Sequence, residues 1–107
     1  MRPDDAARVL WVTGAGSGIG RAVSVTAAAR GWRVALSGRR AAAVTETAGY
    51  IAQAGGQGLT LPLDARDAQA VTNAHETIVD VWGGVTDLVL AAGLNTPERY
   101  WSDQPLE

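Results

Sequence analysis

Short apolar runs alternate along this chain with longer segments of helical periodicity. The first run, residues 8–13 (Arg-Val-Leu-Trp-Val-Thr), is rich in β-branched and apolar side chains, which is typical of a buried strand. Behind it, Ile19, Val23 and Ala27 recur at i, i+4 spacing and predict a helix over residues 19–30. The chain is therefore expected to open with a strand followed by a helix.

The same alternation continues towards the end of the chain. Further strands are predicted at residues 33–37, 58–63 and 87–92, and further helices at residues 41–54 and 67–82. Pro62 falls near the end of the third strand, where a missing ladder hydrogen bond costs little. Residues 98–107 are predicted to begin one more helix. Strands that alternate with helices form βαβ units with right-handed crossovers, so the fold class is α/β with a parallel sheet.

Composition narrows the class of protein without identifying a function. The 107 residues are 47% hydrophobic and 19% charged, which is ordinary for a small globular domain. The net charge of −2 implies no polyanion-binding surface, so no nucleic-acid partner is expected. The absence of cysteine excludes disulfides and thiolate metal sites, and no metal is expected. No segment resembles a signal peptide or a membrane span, so we expect a cytoplasmic protein without a membrane partner.

The candidate chemistry lies in a glycine-rich segment between the first strand and the first helix. Thr13-Gly14-Ala15-Gly16-Ser17-Gly18-Ile19-Gly20 fits neither a P-loop nor G-x-G-x-x-G, but it fits T-G-x-x-x-G-x-G. Glycines let a backbone approach a pyrophosphate closely, and the following helix points unpaired N–H groups at the phosphates. The alternative is a turn without a ligand. It is disfavoured because so many glycines lose backbone entropy on folding without evident benefit.

The segment from Val12 to Gly20 is similar to the nucleotide-binding signature of the short-chain dehydrogenases/reductases. Three later segments resemble the same family in the expected order: Ser37-Gly38-Arg39-Arg40, Leu63-Asp64-Ala65 and Leu90-Ala91-Ala92-Gly93. The last departs from the family's usual N-N-A-G, because Leu90 and Ala91 replace both asparagines. The resemblance covers nearly all of residues 8–97.

This resemblance implies a partial Rossmann fold with a parallel sheet in the strand order 3-2-1-4 and flanking helices. The helices at 18–30 and 41–54 are expected on one face of the sheet, and the helix at 67–82 on the other. Residues 1–107 would then form one NAD(P)-binding domain, truncated so that the catalytic half of the family fold is absent.

The resemblance also implies which residues contact a dinucleotide cofactor. These are Gly14, Ala15, Gly16, Ser17, Gly18, Ile19, Gly20, Ser37, Arg39, Arg40, Asp64, Ala65, Ala92 and Gly93. The Asp64 carboxylate would accept a hydrogen bond from the adenine, with a loop or helix-cap role as the alternative. Ala92-Gly93 would approach the nicotinamide ribose.

NADP(H) is favoured over NAD(H) by the residues after the second strand. The acidic residue that binds the ribose hydroxyls in NAD-preferring relatives should fall ~20 residues past the glycine loop, but Ser37 and Gly38 stand there. Arg39 can pair with a 2′-phosphate through planar, charge-assisted hydrogen bonds, and Arg40 is a second candidate. The alternative is two solvated arginines at the start of a helix.

The implied parent enzyme transfers a hydride between NADP(H) and a carbonyl or alcohol, with a small molecule as its substrate. A standalone dinucleotide-binding module and a non-functional fragment remain open. No catalytic residue is identified, because the chain has no lysine and neither Tyr50 nor Tyr100 can begin the family's Tyr-x-x-x-Lys pair. We expect this chain alone to be inactive and to self-associate through an exposed sheet edge at Leu88, Val89 and Leu90.

Overall fold

The structure, a computed structural model of the chain, describes residues 5–91. A short 3-10 helix at Asp5–Ala7 is followed by β1 (Val9–Thr13), α1 (Gly18–Ala29), β2 (Arg33–Ser37), α2 (Ala41–Gln53), β3 (Gln57–Thr60), α3 (Ala68–Trp82) and β4 (Asp87–Leu90). The strands and helices predicted within these residues are confirmed, with small shifts at their ends. The helix predicted at 98–107 lies outside the described residues.

The four strands form one parallel sheet in the order β3-β2-β1-β4, which confirms the predicted topology. β1 is central, and Trp11 lies opposite Ala35 of β2 on one side and Leu88 of β4 on the other. All five residues of β1 are buried, as expected for a central parallel strand with helices on both faces.

The two faces of the sheet pack against different helices, as predicted. On one face, Leu10, Val12, Val34 and Leu36 pack with Ala27 and Ala28 of α1 and with Val44 and Ile51 of α2. On the other face, Val9, Trp11 and Ala35 pack with Ala74 and Ile78 of α3. Successive side chains of a strand point to opposite faces, which is why consecutive residues of β1 belong to different cores.

The third strand is shorter than predicted, although the segment beyond it still follows β2 past Pro62. The strand ends at Thr60, yet the Leu61 N–H donates to the Leu36 carbonyl at 2.8 Å and the Leu63 N–H donates to the Gly38 carbonyl at 2.9 Å. Alternate N–H groups of a strand face the same neighbour, so Pro62 stands at a position that faces away from β2. The segment therefore follows β2 without a regular ladder and carries Asp64 to the end of the sheet.

The fourth strand also ends early, at Leu90, although the Ala91 N–H still donates to the Thr13 carbonyl at 3.0 Å. Leu88 shares the sheet face of Trp11, but α3 packs over the other strands and leaves Leu88 and Leu90 exposed by 54% and 65%. Within residues 5–91, no helix combines the length and apolar character that crossing a membrane requires.

Candidate functional site

The segments singled out in the sequence meet at one edge of the sheet. The glycine-rich loop follows β1, Gly38 and Arg39 follow β2, and Asp64 lies beyond β3. Because all four strands are parallel, their carboxyl ends share this edge, where open α/β sheets bind ligands. Ala92 and Gly93 would follow β4 there, but they lie outside the described residues.

Each glycine of the loop has a geometric reason. Gly14 and Gly18 have φ of 76° and 57°, in the left-handed region that side chains disfavour. A Cβ on Gly16 would lie 2.8 Å from the Cβ of Ala43, and a Cβ on Gly20 would overlap the carbonyl of Gly14. The loop is therefore pressed against α2 and against the start of α1, with its backbone unobstructed by side chains.

The amino end of α1 is left open. Within residues 5–91, no acceptor is found for the backbone N–H groups of Gly16, Ser17, Gly18 and Ile19, whereas the Ala15 N–H donates to the Ser37 carbonyl at 2.9 Å. Unpaired N–H groups at a helix start carry partial positive charge and form a ready anion site.

The N-cap residues of α1 and α3 differ in whether their side chains bind the helix N–H groups. Ser17 is the N-cap of α1, but its hydroxyl makes no capping hydrogen bond, and the first turn of α1 contains no acidic residue. Asp67 does cap α3, because its carboxylate accepts from the Ala70 N–H at 3.1 Å. The sequence of α1 therefore leaves its positive end free for an external anion.

Ser37 is placed differently from a surface contact residue. It is fully buried, and its hydroxyl accepts a hydrogen bond from the Trp11 indole N–H at 2.8 Å. Its carbonyl accepts from Ala15, as described above. The hydroxyl and the carbonyl of Ser37 thus hold the end of β2 to the central strand and to the glycine loop, and neither faces solvent.

Arg39 and Arg40 follow at the surface. Both are exposed, and the side chain of neither forms a hydrogen bond or ion pair with another residue of the described range, although the Arg40 carbonyl accepts from the Ala43 and Val44 N–H groups of α2. Arg40 is the N-cap position of α2, so its charge opposes the helix dipole there. The residue before them is Gly38, so no carboxylate at that position neutralises the charges of Arg39 and Arg40. Within residues 5–91, two exposed guanidinium groups without a hydrogen-bonding partner therefore lie at the same edge of the sheet as the glycine loop.

Asp64 has a partner that the sequence analysis did not anticipate. Arg66 binds its carboxylate from two sides: Nε lies 3.1 Å from Oδ1 and Nη2 lies 2.9 Å from Oδ2, while the Arg66 N–H donates to Oδ1 at 2.9 Å. These hydrogen bonds lower the pKa of Asp64 to about 2, and the charge of Arg39 contributes in the same direction. The carboxylate is therefore ionised, and it is not the cap of α3, which is Asp67.

Two further residues at the loop were also missed. The Arg21 guanidinium and the Thr47 hydroxyl reach the loop carbonyls from α1 and α2. They are 26 residues apart, and no spacing rule links them. The described part of the chain contains no cluster of three or more metal-ligating side chains.

The chain is similar in sequence to known proteins of one family. The family model described as short chain dehydrogenase matches residues 8–105. The short-chain reductase protein NovJ of Streptomyces niveus is 40% identical over 87 residues, which cover 81% of this chain and 33% of that protein. The probable oxidoreductase EphD of Mycobacterium tuberculosis is 40% identical over 97 residues, which cover 90% of this chain and 16% of that protein.

Solved structures give the same picture. The citronellol catabolism dehydrogenase of Pseudomonas aeruginosa PAO1 superposes with a TM-score of 0.76 at 36% identity, covering 82% of this chain and 37% of that one. A hydroxysteroid dehydrogenase from Escherichia coli superposes with a TM-score of 0.74 at 30% identity, covering 81% of this chain and 39% of that one. The chain thus spans little more than a third of these relatives at most, and it belongs to the short-chain dehydrogenase family.

Proposed function

We propose that this chain is the NADP(H)-binding part of an oxidoreductase that transfers a hydride between NADP(H) and a carbonyl or alcohol. Family membership supports a nicotinamide cofactor and a small-molecule substrate. The observation that carries the proposal is the open amino end of α1, where unpaired N–H groups and an unengaged Ser17 hydroxyl face the edge of the sheet. We further propose that residues 1–107 act as one cofactor-binding domain in the cytoplasm.

The pyrophosphate is proposed to lie against the glycine loop. The N–H groups of Gly16 to Ile19 would donate to its oxygens, and the positive end of α1 would stabilise its charge. Ile19, exposed by 59% on the first turn, would pack against the bound cofactor. Ala15 and Gly20 are buried and shape this loop from within.

The adenosine end is proposed to lie between the second and third strands. Arg39 would pair with the 2′-phosphate, and Arg40 lies next to it as a second cation. Asp64, held ionised by Arg66, would accept a hydrogen bond from the adenine amino group, and Ala65 would lie against the ring. Ser37 would support this pocket through Trp11 without touching the cofactor. The contact of Ala92 and Gly93 with the nicotinamide ribose stays a prediction.

Calorimetric titration of NADPH and NADH tests the cofactor choice. Arg39→Ala removes hydrogen bonds to a charged group, and the loss of their binding free energy should weaken NADPH binding by about 10- to 100-fold. NADH binding should barely change. Arg30→Ala is the matched control, because Arg30 is an exposed arginine at the other end of α1. Equal losses for both cofactors would overturn the assignment of Arg39.

A chain that binds the cofactor without turnover is the second candidate. The family's proton carrier is a tyrosine followed four residues later by a lysine, and these 107 residues contain no lysine. Tyr50 lies on α2, where the Arg21 guanidinium packs over its ring at 5.3 Å. We therefore propose that the chain alone does not oxidise NADPH with ketones or aldehydes. Turnover that is abolished by Tyr100→Phe would contradict this.

The exposed apolar side chains of β4 support self-association. Leu88 and Leu90 present apolar surface at an edge strand, and such edges pair readily with other chains. We propose a second copy of the chain as the partner there. Sedimentation velocity should show concentration-dependent association that is reduced by Leu90→Ser. A monomer at all concentrations would contradict the proposal.

A further inference from the structure

Side chains of α1 and α2 form a hydrogen-bond network with the carbonyl groups of the glycine loop. Nη2 of Arg21 donates to the Gly16 carbonyl and to Glu46 Oε1, the latter at 2.8 Å. Nε of Arg21 donates to the Thr47 hydroxyl oxygen at 2.9 Å. Arg21 lies on the first turn of α1, and both of its partners on α2 belong to a single helical turn. One guanidinium therefore joins two helices and the loop.

The direction of the hydrogen bonds follows from the single proton of the threonine hydroxyl. Its oxygen accepts from Arg21, so its own proton is available to a carbonyl. The Ala15 carbonyl lies 2.7 Å away and the Ala43 carbonyl 3.3 Å away, so the shorter contact to Ala15 is favoured. Thr47 is fully buried, which excludes water as a competing partner. The carbonyls of Ala15 and Gly16 are thus both bound on the α2 side.

Because peptide units are planar, these carbonyl contacts also fix the direction of the N–H groups on the opposite side of the loop. The C=O and N–H of a trans peptide point in opposite directions. The Ala15 carbonyl shares its peptide plane with the Gly16 N–H, and the Gly16 carbonyl shares its plane with the Ser17 N–H. Carbonyls held towards α2 therefore hold these two N–H groups away from it, where they have no acceptor within residues 5–91.

We infer that Arg21 and Thr47 are positioning residues that orient the loop N–H groups towards the phosphates of the cofactor. The inference rests on the proposed function and deepens it. Glycine at position 16 lowers the barrier to rotating the adjoining peptide planes, so the loop's own sequence does not fix their orientation. The side chains of α1 and α2 fix it before the ligand arrives, which reduces the ordering cost of binding. Glu46 neutralises the Arg21 charge, so orientation is the main contribution.

The test compares two ligands that use different parts of the site. NADPH carries the pyrophosphate, whereas adenosine 2′-monophosphate carries the adenosine and 2′-phosphate alone. Thr47→Val removes the hydroxyl with little change of shape, and it should weaken NADPH binding by about 3- to 10-fold. Thr47→Ser keeps the hydroxyl and should bind NADPH nearly as the unchanged chain does. Binding of adenosine 2′-monophosphate should be the same in all three.

Arg21→Met and Arg21→Lys provide a second pair, because Arg21 is partly exposed and tolerates substitution better than buried Thr47. Arg21→Met should weaken NADPH binding, and Arg21→Lys should restore part of it. Amide NMR adds a readout that stability alone would not move. Inorganic pyrophosphate should shift the Gly16 and Ser17 amide signals in the unchanged chain but much less in Thr47→Val.

The outcomes distinguish a failure of the positioning role from a failure of the proposed function. Unaltered NADPH affinity in both Thr47→Val and Arg21→Met, or an equal loss for both ligands, would overturn the positioning role while leaving the proposed function in place. Failure of the unchanged chain to bind either ligand would overturn the proposed function and this inference with it.

Discussion

The carbonyl oxygen of Gly14 overlaps the place that a Cβ on Gly20 would take, so that no side chain fits at position 20. Gly14 directly follows the central strand, which ends at Thr13, and Gly20 lies on the first turn of α1. Their contact brings the helix start against the strand end. The loop between them is consequently forced outwards into the tight curve that exposes its N–H groups.

A methyl group at position 20 should therefore disrupt the loop. Gly20→Ala is expected to lower the free energy of unfolding by about 1–3 kcal/mol, the usual cost of overpacking. Gly49→Ala is the matched control, because Gly49 lies inside α2 with open space around it, and alanine there should raise stability by up to about 1 kcal/mol. Urea denaturation measures both. Similar effects of the two substitutions would contradict the packing argument.

The Asp64–Arg66 pair should be visible in an acid titration. The Asp64 carboxyl signal in NMR should titrate with a pKa of about 2, and Arg66→Ala should raise this pKa towards 3.8. A lowered pKa in the folded state stabilises the fold above the unfolded value and is lost as the pH falls through the folded value. The pair's contribution should thus disappear between about pH 4 and pH 2. A titration of Asp64 that Arg66→Ala does not alter would exclude the pairing.

The buried hydrogen bond between Trp11 and Ser37 should matter more than other buried serine contacts. Ser37→Ala leaves the Trp11 indole N–H without an acceptor and should cost about 1–3 kcal/mol of stability. Ser24 is equally buried, but its hydroxyl donates to the Gly20 carbonyl of its own helix, so Ser24→Ala should cost less. Thermal denaturation of both variants gives the comparison, and a greater loss in Ser24→Ala would refute it.

The packing of α3 predicts a clear difference between two of its apolar residues. Ile78 is fully buried against β1 and β2, so Ile78→Ala should destabilise the fold by about 2–5 kcal/mol. Val81 is 54% exposed, and Val81→Ala should change stability by less than about 0.5 kcal/mol. Chemical denaturation followed by circular dichroism checks both. Comparable losses would mean that α3 packs in another rotation.

Much of the fold was predictable because hydrophobic periodicity records which side of each element is buried. Runs such as residues 33–37 and the stripe containing Ile78 identify the elements and their faces. The end of β3 was less predictable. Pro62 faces away from β2 and does not stop the segment from following it, and the sequence alone does not show that the regular strand ends at Thr60.

The site was predictable where the chemistry is local and not where it depends on packing. The glycine spacing identifies the loop, because the positions that need a positive φ or a close backbone approach all fall within one short segment. The inward orientation of Ser37 depends on Trp11 of another strand, and the hold of Arg21 on the loop depends on α2. The Asp64–Arg66 pair is separated by only two residues, so a local search for opposite charges could have found it.

If an anion binds the uncapped start of α1 as proposed, the stability of the chain should depend on the concentration of that anion. A helix closed by its own side chain, as α3 is by Asp67, is complete without help from the solution. The helix α1 would gain its missing partners from a dissolved anion, whose binding free energy would then add to the stability of the chain. Measured melting temperatures should accordingly depend on whether the buffer contains phosphate or sulfate, and in a cell the pool of free cofactor would regulate how long the chain survives.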